Sequence, residues 1–293
     1  MNSTVHDQHP LINLLYYGCV GISVMVFLHP IFLTTAIILL VLTNLLHGNK
    51  EKVKKLSPAF IFMGFIVIVL NPLFVHRGVH ILFYFRNNPI TLEAIIYGVV
   101  MALMLVCILV LFLSFNAVIN GRKFMFLFSK IWPQLGLLLM LTIRFVPLLL
   151  RRWREIYEVQ RVRNYSMSQG SVKSRAKIGM LYMQKLLTWS LEEALQSAES
   201  MKARGYGLAK NRTSYQVFMM SAKDWGKVIS LLVLTGIGIV GAKQEHGVLT
   251  IYPELGRVML TYADWLYYGI FVILVSLPLI LEGGEQLRWR LSK

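Results

Sequence analysis

The sequence predicts an all-α, polytopic membrane protein with about six transmembrane helices and an inserted cytoplasmic helical segment. Three observations carry this. Of 293 residues, 56% are hydrophobic and only 15% charged, with a mean hydropathy of +0.59, too apolar for a soluble domain of this size. Apolar runs at 11–28, 30–46, 59–75, 91–115, 228–242 and 264–281 approach or reach the roughly 20 residues that a spanning helix needs. The formal charge of +16 is concentrated: residues 121–212 hold 17 Lys and Arg against 5 Glu, a net +12, which marks that stretch as cytoplasmic.

Taken in order, the first two runs are short, and a turn at His29-Pro30 makes them a tilted hairpin, because proline has no amide to donate and some length mismatch is tolerated. No basic region precedes the first run, so it reads as a retained span and not a cleavable leader. Lys50, Lys52, Lys54 and Lys55 mark a cytoplasmic loop before the third run, and Arg288, Arg290 and Lys293 place the C-terminus on the same side. The loops at 76–88 and 243–264 lack such an excess and fall on the opposite side. Six spans with both termini cytoplasmic satisfy all of these signs. The resulting organisation is four spans in 1–120, basic cytoplasmic helices in 121–223, and two spans with a tail in 224–293.

A seventh apolar run, 131–150, is flanked by cations on both sides and contains Pro133, Arg144 and Pro147. Crossing the bilayer would break the charge parity of everything after it, so it reads as an amphipathic helix along the cytoplasmic face. Beyond Pro147, Leu149, Trp153, Ile156, Val159 and Gln160 recur at helical spacing between Arg and Glu, as far as Asn164. The polar stretch 166–174 reads as a loop. A further helix, about 186–204, puts Leu191, Ala194, Leu195, Ala198 and Met201 on one face and stops at Gly205.

The two helices end in comparable tripeptides, Val162-Arg163-Asn164 and Ala203-Arg204-Gly205. Each ends in a residue that tolerates positive φ, after a cation suited to the negative end of the helix dipole. Ordinary capping uses the same residue types. An exposed arginine at such a tip can also reach a carboxylate of a partner protein with its bidentate fork.

At these residues the chain resembles the T component of energy-coupling factor (ECF) transporters, the EcfT/CbiQ family, whose signature is a pair of Ala-Arg-Gly motifs closing two cytoplasmic coupling helices. The first block runs Arg144-Phe145-Val146-Pro147-Leu148, Glu155, then Gln160-Arg161-Val162-Arg163-Asn164. The second is Ser197-Ala198-Glu199-Ser200-Met201-Lys202-Ala203-Arg204-Gly205-Tyr206, and His9-Pro10-Leu11 with Asn13 fits the N-terminal pattern. The first tip departs from the signature, with Val162 for Ala and Asn164 for Gly. The resemblance implies a non-catalytic subunit of the cell membrane that joins two cytoplasmic ATPase subunits to a small substrate-capture protein, the S component, specific for a vitamin or a transition-metal ion. ATP and magnesium would belong to the ATPases, and this chain would bind no cofactor. Docking on the ATPases would fall to Gln160, Val162, Arg163, Asn164, Ala203, Arg204 and Gly205, with Arg163 and Arg204 seated in their grooves. The capture subunit would be held by the helix faces bearing Trp153, Ile156 and Val159, and Leu191, Ala194, Leu195, Ala198 and Met201.

Two other classes compete. An integral membrane enzyme needs clustered nucleophiles, carboxylates or metal ligands, and HExxH, GxSxG and Walker-type sequences are all absent. His6 and His9 have a metal-compatible spacing but read as solvated near a polar terminus, and Asp224 and Asp264 read as residues at the starts of spans. Cys19 and Cys107 lie inside apolar runs and read as small hydrophobes. A lipid-binding scaffold would use the basic segment against anionic headgroups. Nucleic acid is excluded as a partner, because the cations interleave with an apolar stripe instead of forming an open basic platform. Gly236, Gly238 and Gly241 admit a closely packed helix, of this chain or another.

Overall fold

The computed structural model describes residues 9–75, 77–85, 88–162, 171–208, 220–251, 256 and 259–291. The described residues form nine helices and one short hairpin: α1 (Pro10–Val26), α2 (Pro30–Leu46), α3 (Lys50–Phe74), β1 (Ile81–Phe85), β2 (Asn88–Thr91), α4 (Leu92–Val118), α5 (Gly121–Ile131), α6 (Pro133–Val162), α7 (Val172–Ala203), α8 (Ala222–Lys243) and α9 (Tyr262–Leu291). The chain divides into two units, 1–124 with 218–293, and 125–217, the division falling inside α5.

The first unit is a helical bundle. α1 and α2 each open with proline at the first helical position, where a missing amide costs nothing, behind a histidine ring that accepts the next free N–H. His9 Nδ1 takes Leu11 N–H at 3.2 Å and His29 Nδ1 takes Ile31 N–H at 3.3 Å. His9 is thus a buried cap and not a solvated side chain; His6 lies outside the described residues. α4 packs along α2 and α3, α8 along α1, and α9 along α2 and α8. The core is aromatic where α1, α2 and α9 meet: Phe32 has no exposed surface and stacks on Phe27 at 5.0 Å, with Tyr268 and Phe271 at its edges. Polar groups are paired across helices, as lipid requires. Tyr16 donates its O–H to Val275 O at 2.8 Å, Asn71 Nδ2 donates to Ala94 O at 2.7 Å, and the Tyr17 and Ser114 hydroxyls pair at 2.8 Å.

Two glycines of the α8 trio serve this chain's own packing. A Cβ on Gly238 would press on the ring of Phe27, which caps α1, at 3.2 Å, and one on Gly241 would overlap Tyr267 of α9, whereas Gly236 has open space. Asp224 and Asp264 stand in the first turns of α8 and α9, each closing back on the chain before its helix: Asp224 accepts Ser221 N–H at 3.1 Å and Asp264 accepts Thr261 N–H at 2.8 Å.

Several expected boundaries move. α3 begins at Lys50, so the four lysines form its first turns and not a loop, because a helix can extend beyond its apolar part into water. The expected loop at 76–88 contains β1, paired antiparallel with β2 in the register Phe83↔Ile90 and Tyr84↔Pro89. By length and composition, α3, α4, Gln134–Val162, Asp224–Lys243 and Tyr262–Ile280 are long and apolar enough to cross a membrane, while α1 and α2, of 17 residues, are shorter. Length and composition thus admit Gln134–Val162, which holds most of the 131–150 run that charge parity assigned to the membrane surface. The chain is a multi-pass, all-α membrane protein.

Candidate functional site

The second unit, 125–217, is built on two long helices. α6 runs unbroken for 30 residues through Pro147, so the expected division of this stretch into two elements does not hold. Proline removes one amide, and the 14 residues before it and 15 after it keep the rest of the helix intact. α7 begins at Val172, well before the expected residue 186, because Ser171 caps it by accepting Ser174 N–H at 3.4 Å. Polar composition suggested a loop there; a serine cap and a continuing helical period override it.

α6 and α7 lie antiparallel. Arg144 Nη2 donates to Ser197 Oγ at 3.0 Å, and eight residues further along α6, Arg152 stacks over Trp189 at 5.1 Å, eight residues back along α7. Beyond that level, Tyr182 of α7 meets the rings of Trp153 and Tyr157 edge-on at 5.9 and 6.3 Å. Tyr182 is fully buried, and burial together with neighbouring Tyr157 raises its phenol above the usual range. Continuing this register puts Ala203 opposite Leu138. Val162 lies 24 residues beyond that level, about 36 Å at 1.5 Å per residue, so the two helix tips stand at opposite ends of the pair.

The second tip is a complete Schellman turn. Tyr206 N–H reaches back to Met201 O and Gly205 N–H to Lys202 O, both at 3.0 Å, and Gly205 adopts φ +77°. Two otherwise unpaired carbonyls are thereby satisfied, and glycine is required because a side chain in that conformation costs about 1–2 kcal/mol. Arg204 occupies the capping position with its side chain exposed, beside exposed Ala203. At the first tip Val162 is 88% exposed, while Gln160 is buried and presents no surface for docking. Arg163 and Asn164 lie outside the described residues.

The expected helix faces separate into two kinds. Trp153 is occupied by its own chain, against Tyr182. Leu191 and Leu195 are 65% and 66% exposed, Val159, Ala194 and Ala198 are also exposed, and Ile156 and Met201 are half-buried. Sequence reading missed the fastening side chains Tyr182, Trp189 and Ser197. Arg144 and Ser197 sit in the two motif blocks, which was a signal that the blocks meet; nothing in the sequence paired Tyr182 with Trp153.

Comparison with known proteins identifies the family. The sequence model of the family described as cobalt transport protein (CbiQ) matches residues 1–215. The chain is 32% identical to the energy-coupling factor transporter transmembrane protein EcfT of Lacticaseibacillus paracasei over 104 residues, 36% of this chain and 39% of that protein. It is 30% identical to EcfT of Bacillus subtilis over 104 residues, with the same coverage, so these two matches span well under half of each relative. With EcfT of Staphylococcus aureus it is 25% identical over 198 residues, 64% of this chain and 72% of the relative. With its family model spanning most of its length and its relatives named as transmembrane transporter components, the chain belongs to the CbiQ family, which it shares with the EcfT transmembrane components of energy-coupling factor transporters.

Proposed function

We propose that this chain is the coupling (T) subunit of an ATP-driven uptake transporter in the cell membrane, with both termini cytoplasmic. The observation that carries the reading is the antiparallel α6/α7 pair, fastened between 144–157 and 182–197 and carrying its tips at opposite ends. A stiff pair of that kind suits two separate ATPase subunits, one per tip. Arg204, and Arg163 at the other tip, would each offer a guanidinium to carboxylates in an ATPase groove. ATP and magnesium stay on those subunits. Their closure moves the tips, and the exposed apolar faces around Leu191, Leu195 and Val159 carry the displacement to a small membrane protein that captures a vitamin or a transition-metal ion.

Docking at a tip depends on direction as well as charge. The Schellman turn closes α7 at Arg204, whose side chain is exposed. The test uses the assembled complex in proteoliposomes, with uptake and ATP hydrolysis measured together. Arg204→Ala is expected to lower uptake at least tenfold while ATP hydrolysis continues, and Arg163→Ala with Arg204→Ala to abolish uptake. Unchanged assembly and uptake in the double variant would refute the docking roles.

A further inference from the structure

The β1–β2 hairpin joins the ends of α3 and α4, and its composition is anomalous for a loop in water. From Val79 to Phe85 the chain reads Val-His-Ile-Leu-Phe-Tyr-Phe. Val79, Ile81, Leu82 and Tyr84 are all exposed, beside a register irregularity between Ile81 and Phe83, while Ile90 of the facing strand is buried. Four exposed apolar or aromatic side chains so close together are a poor fit to bulk water.

The one polar side chain in the run other than Tyr84 is tied down. Glu93, in the first turn of α4 and fully buried, accepts His80 Nδ1–H at 2.8 Å, His80 N–H at 3.1 Å and Val79 N–H at 3.3 Å. Thr91, the cap of α4, donates its hydroxyl to Arg77 O at 2.8 Å. Gly78, at φ +137°, passes so close to Glu93 and Thr91 that a Cβ would collide with both carboxylate and hydroxyl. The base of the hairpin is therefore fixed to the end of a membrane helix, next to the exposed Phe74 that closes the apolar face of α3.

Two requirements then fix where such a hairpin rests. A two-stranded sheet has two open edges whose amides and carbonyls need water, which excludes the hydrocarbon core. Its exposed side chains Val79, Ile81, Leu82 and Tyr84 are apolar or aromatic and follow the exposed Phe74 at the end of apolar α3, which argues against bulk water. Both are met only in the interfacial zone of the bilayer, where aromatic side chains accumulate and apolar ones reach the acyl boundary. We infer that the β1–β2 hairpin lies in the lipid interface as a fixed, monotopic anchor at the α3/α4 end of the bundle. This placement does not depend on the coupling role of α6 and α7.

The test is spin-label accessibility in the full chain, reconstituted in phosphatidylethanolamine and phosphatidylglycerol nanodiscs with the buried Cys19 and Cys107 replaced by Ala. Nitroxides are placed singly by Leu82→Cys and Tyr84→Cys, both at exposed sites where folding is little affected. Lys50→Cys at the start of α3 is the water reference and Ile61→Cys midway along it the hydrocarbon reference. At both hairpin sites, collisions with a water-soluble nickel chelate are expected to fall at least threefold below the Lys50 reference, with oxygen collisions between the two references. Nickel collisions equal to those at Lys50 would place the hairpin in water and overturn the inference. Exclusion of both reagents would mean that protein covers the hairpin, and would overturn it equally. Val79→Cys gives a third site that decides the question if either of the others alters the helical circular dichroism.

Discussion

The two units of this chain solve the burial of apolar side chains in opposite ways. The bundle of 1–124 and 218–293 packs Phe27, Phe32, Val20, Leu40, Phe271 and many others into a common core, whereas among the described residues of 125–217 only one hydrophobic side chain, Tyr182, is buried. The difference lies in element number: six helices can surround a core, but two can share only a seam, and each keeps most of its circumference uncovered. The bundle is stabilised by its own packing. The α6/α7 pair is fastened by a few specific contacts and leaves apolar faces exposed, as the proposed lever between subunits would require.

The comparison is tested first at the core. Phe32→Ala is expected to cost about 3–5 kcal/mol, since it empties the centre of the aromatic cluster, and denaturant unfolding in detergent micelles would register the loss. A cost under about 1 kcal/mol would mean that lipid or detergent fills the site and that the bundle has no tight core. Next comes Tyr182→Ala, with about 2 kcal/mol, less than a dense-core value because only two rings face the side chain. Its damage should stay local: amide exchange in 172–203 rises while that in 10–46 is unchanged. Acceleration in both would show that the units are one cooperative structure.

The smallest effect on stability is expected at Leu191→Ser combined with Leu195→Ser, within about 0.5 kcal/mol per site, because both leucines are exposed in the chain. The same variant should lose the capture protein from the purified complex. A destabilisation as large as that of Tyr182→Ala would show that the face is covered by this chain itself, and the contrast between the units would fail.

Much of this was legible in the sequence. Long apolar runs announce membrane helices because no other use accommodates them, and the cation excess in 121–212 singled out the unusual segment. The Ala203-Arg204-Gly205 tip was legible too, since glycine after a terminal cation specifies a left-handed turn, and φ +77° at Gly205 completes it. Less legible were the boundaries around Pro147 and Ser171. A proline or a polar cluster signals a break only when no longer helix can absorb it, and the length of α6 and the cap of α7 are properties of whole segments. The hairpin at 81–91 escaped notice for a similar reason: an apolar run of five residues fits a strand or the end of a helix equally well.

By itself the sequence determined which segments are apolar enough for lipid, the identity of the family motifs and the residue types available at each helix tip, because these depend on residue type and local spacing. Tertiary structure decided what pairs with what. It made Gly238 and Gly241 seats for Phe27 and Tyr267 of the same chain, drew Trp153 inward against Tyr182 while leaving Leu191 and Leu195 outward, and buried Glu93 beneath His80. Those outcomes turn on contacts between residues far apart in the chain, for which local pattern carries no signal. The antiparallel register of α6 and α7, which sends their tips to opposite ends, is of the same kind.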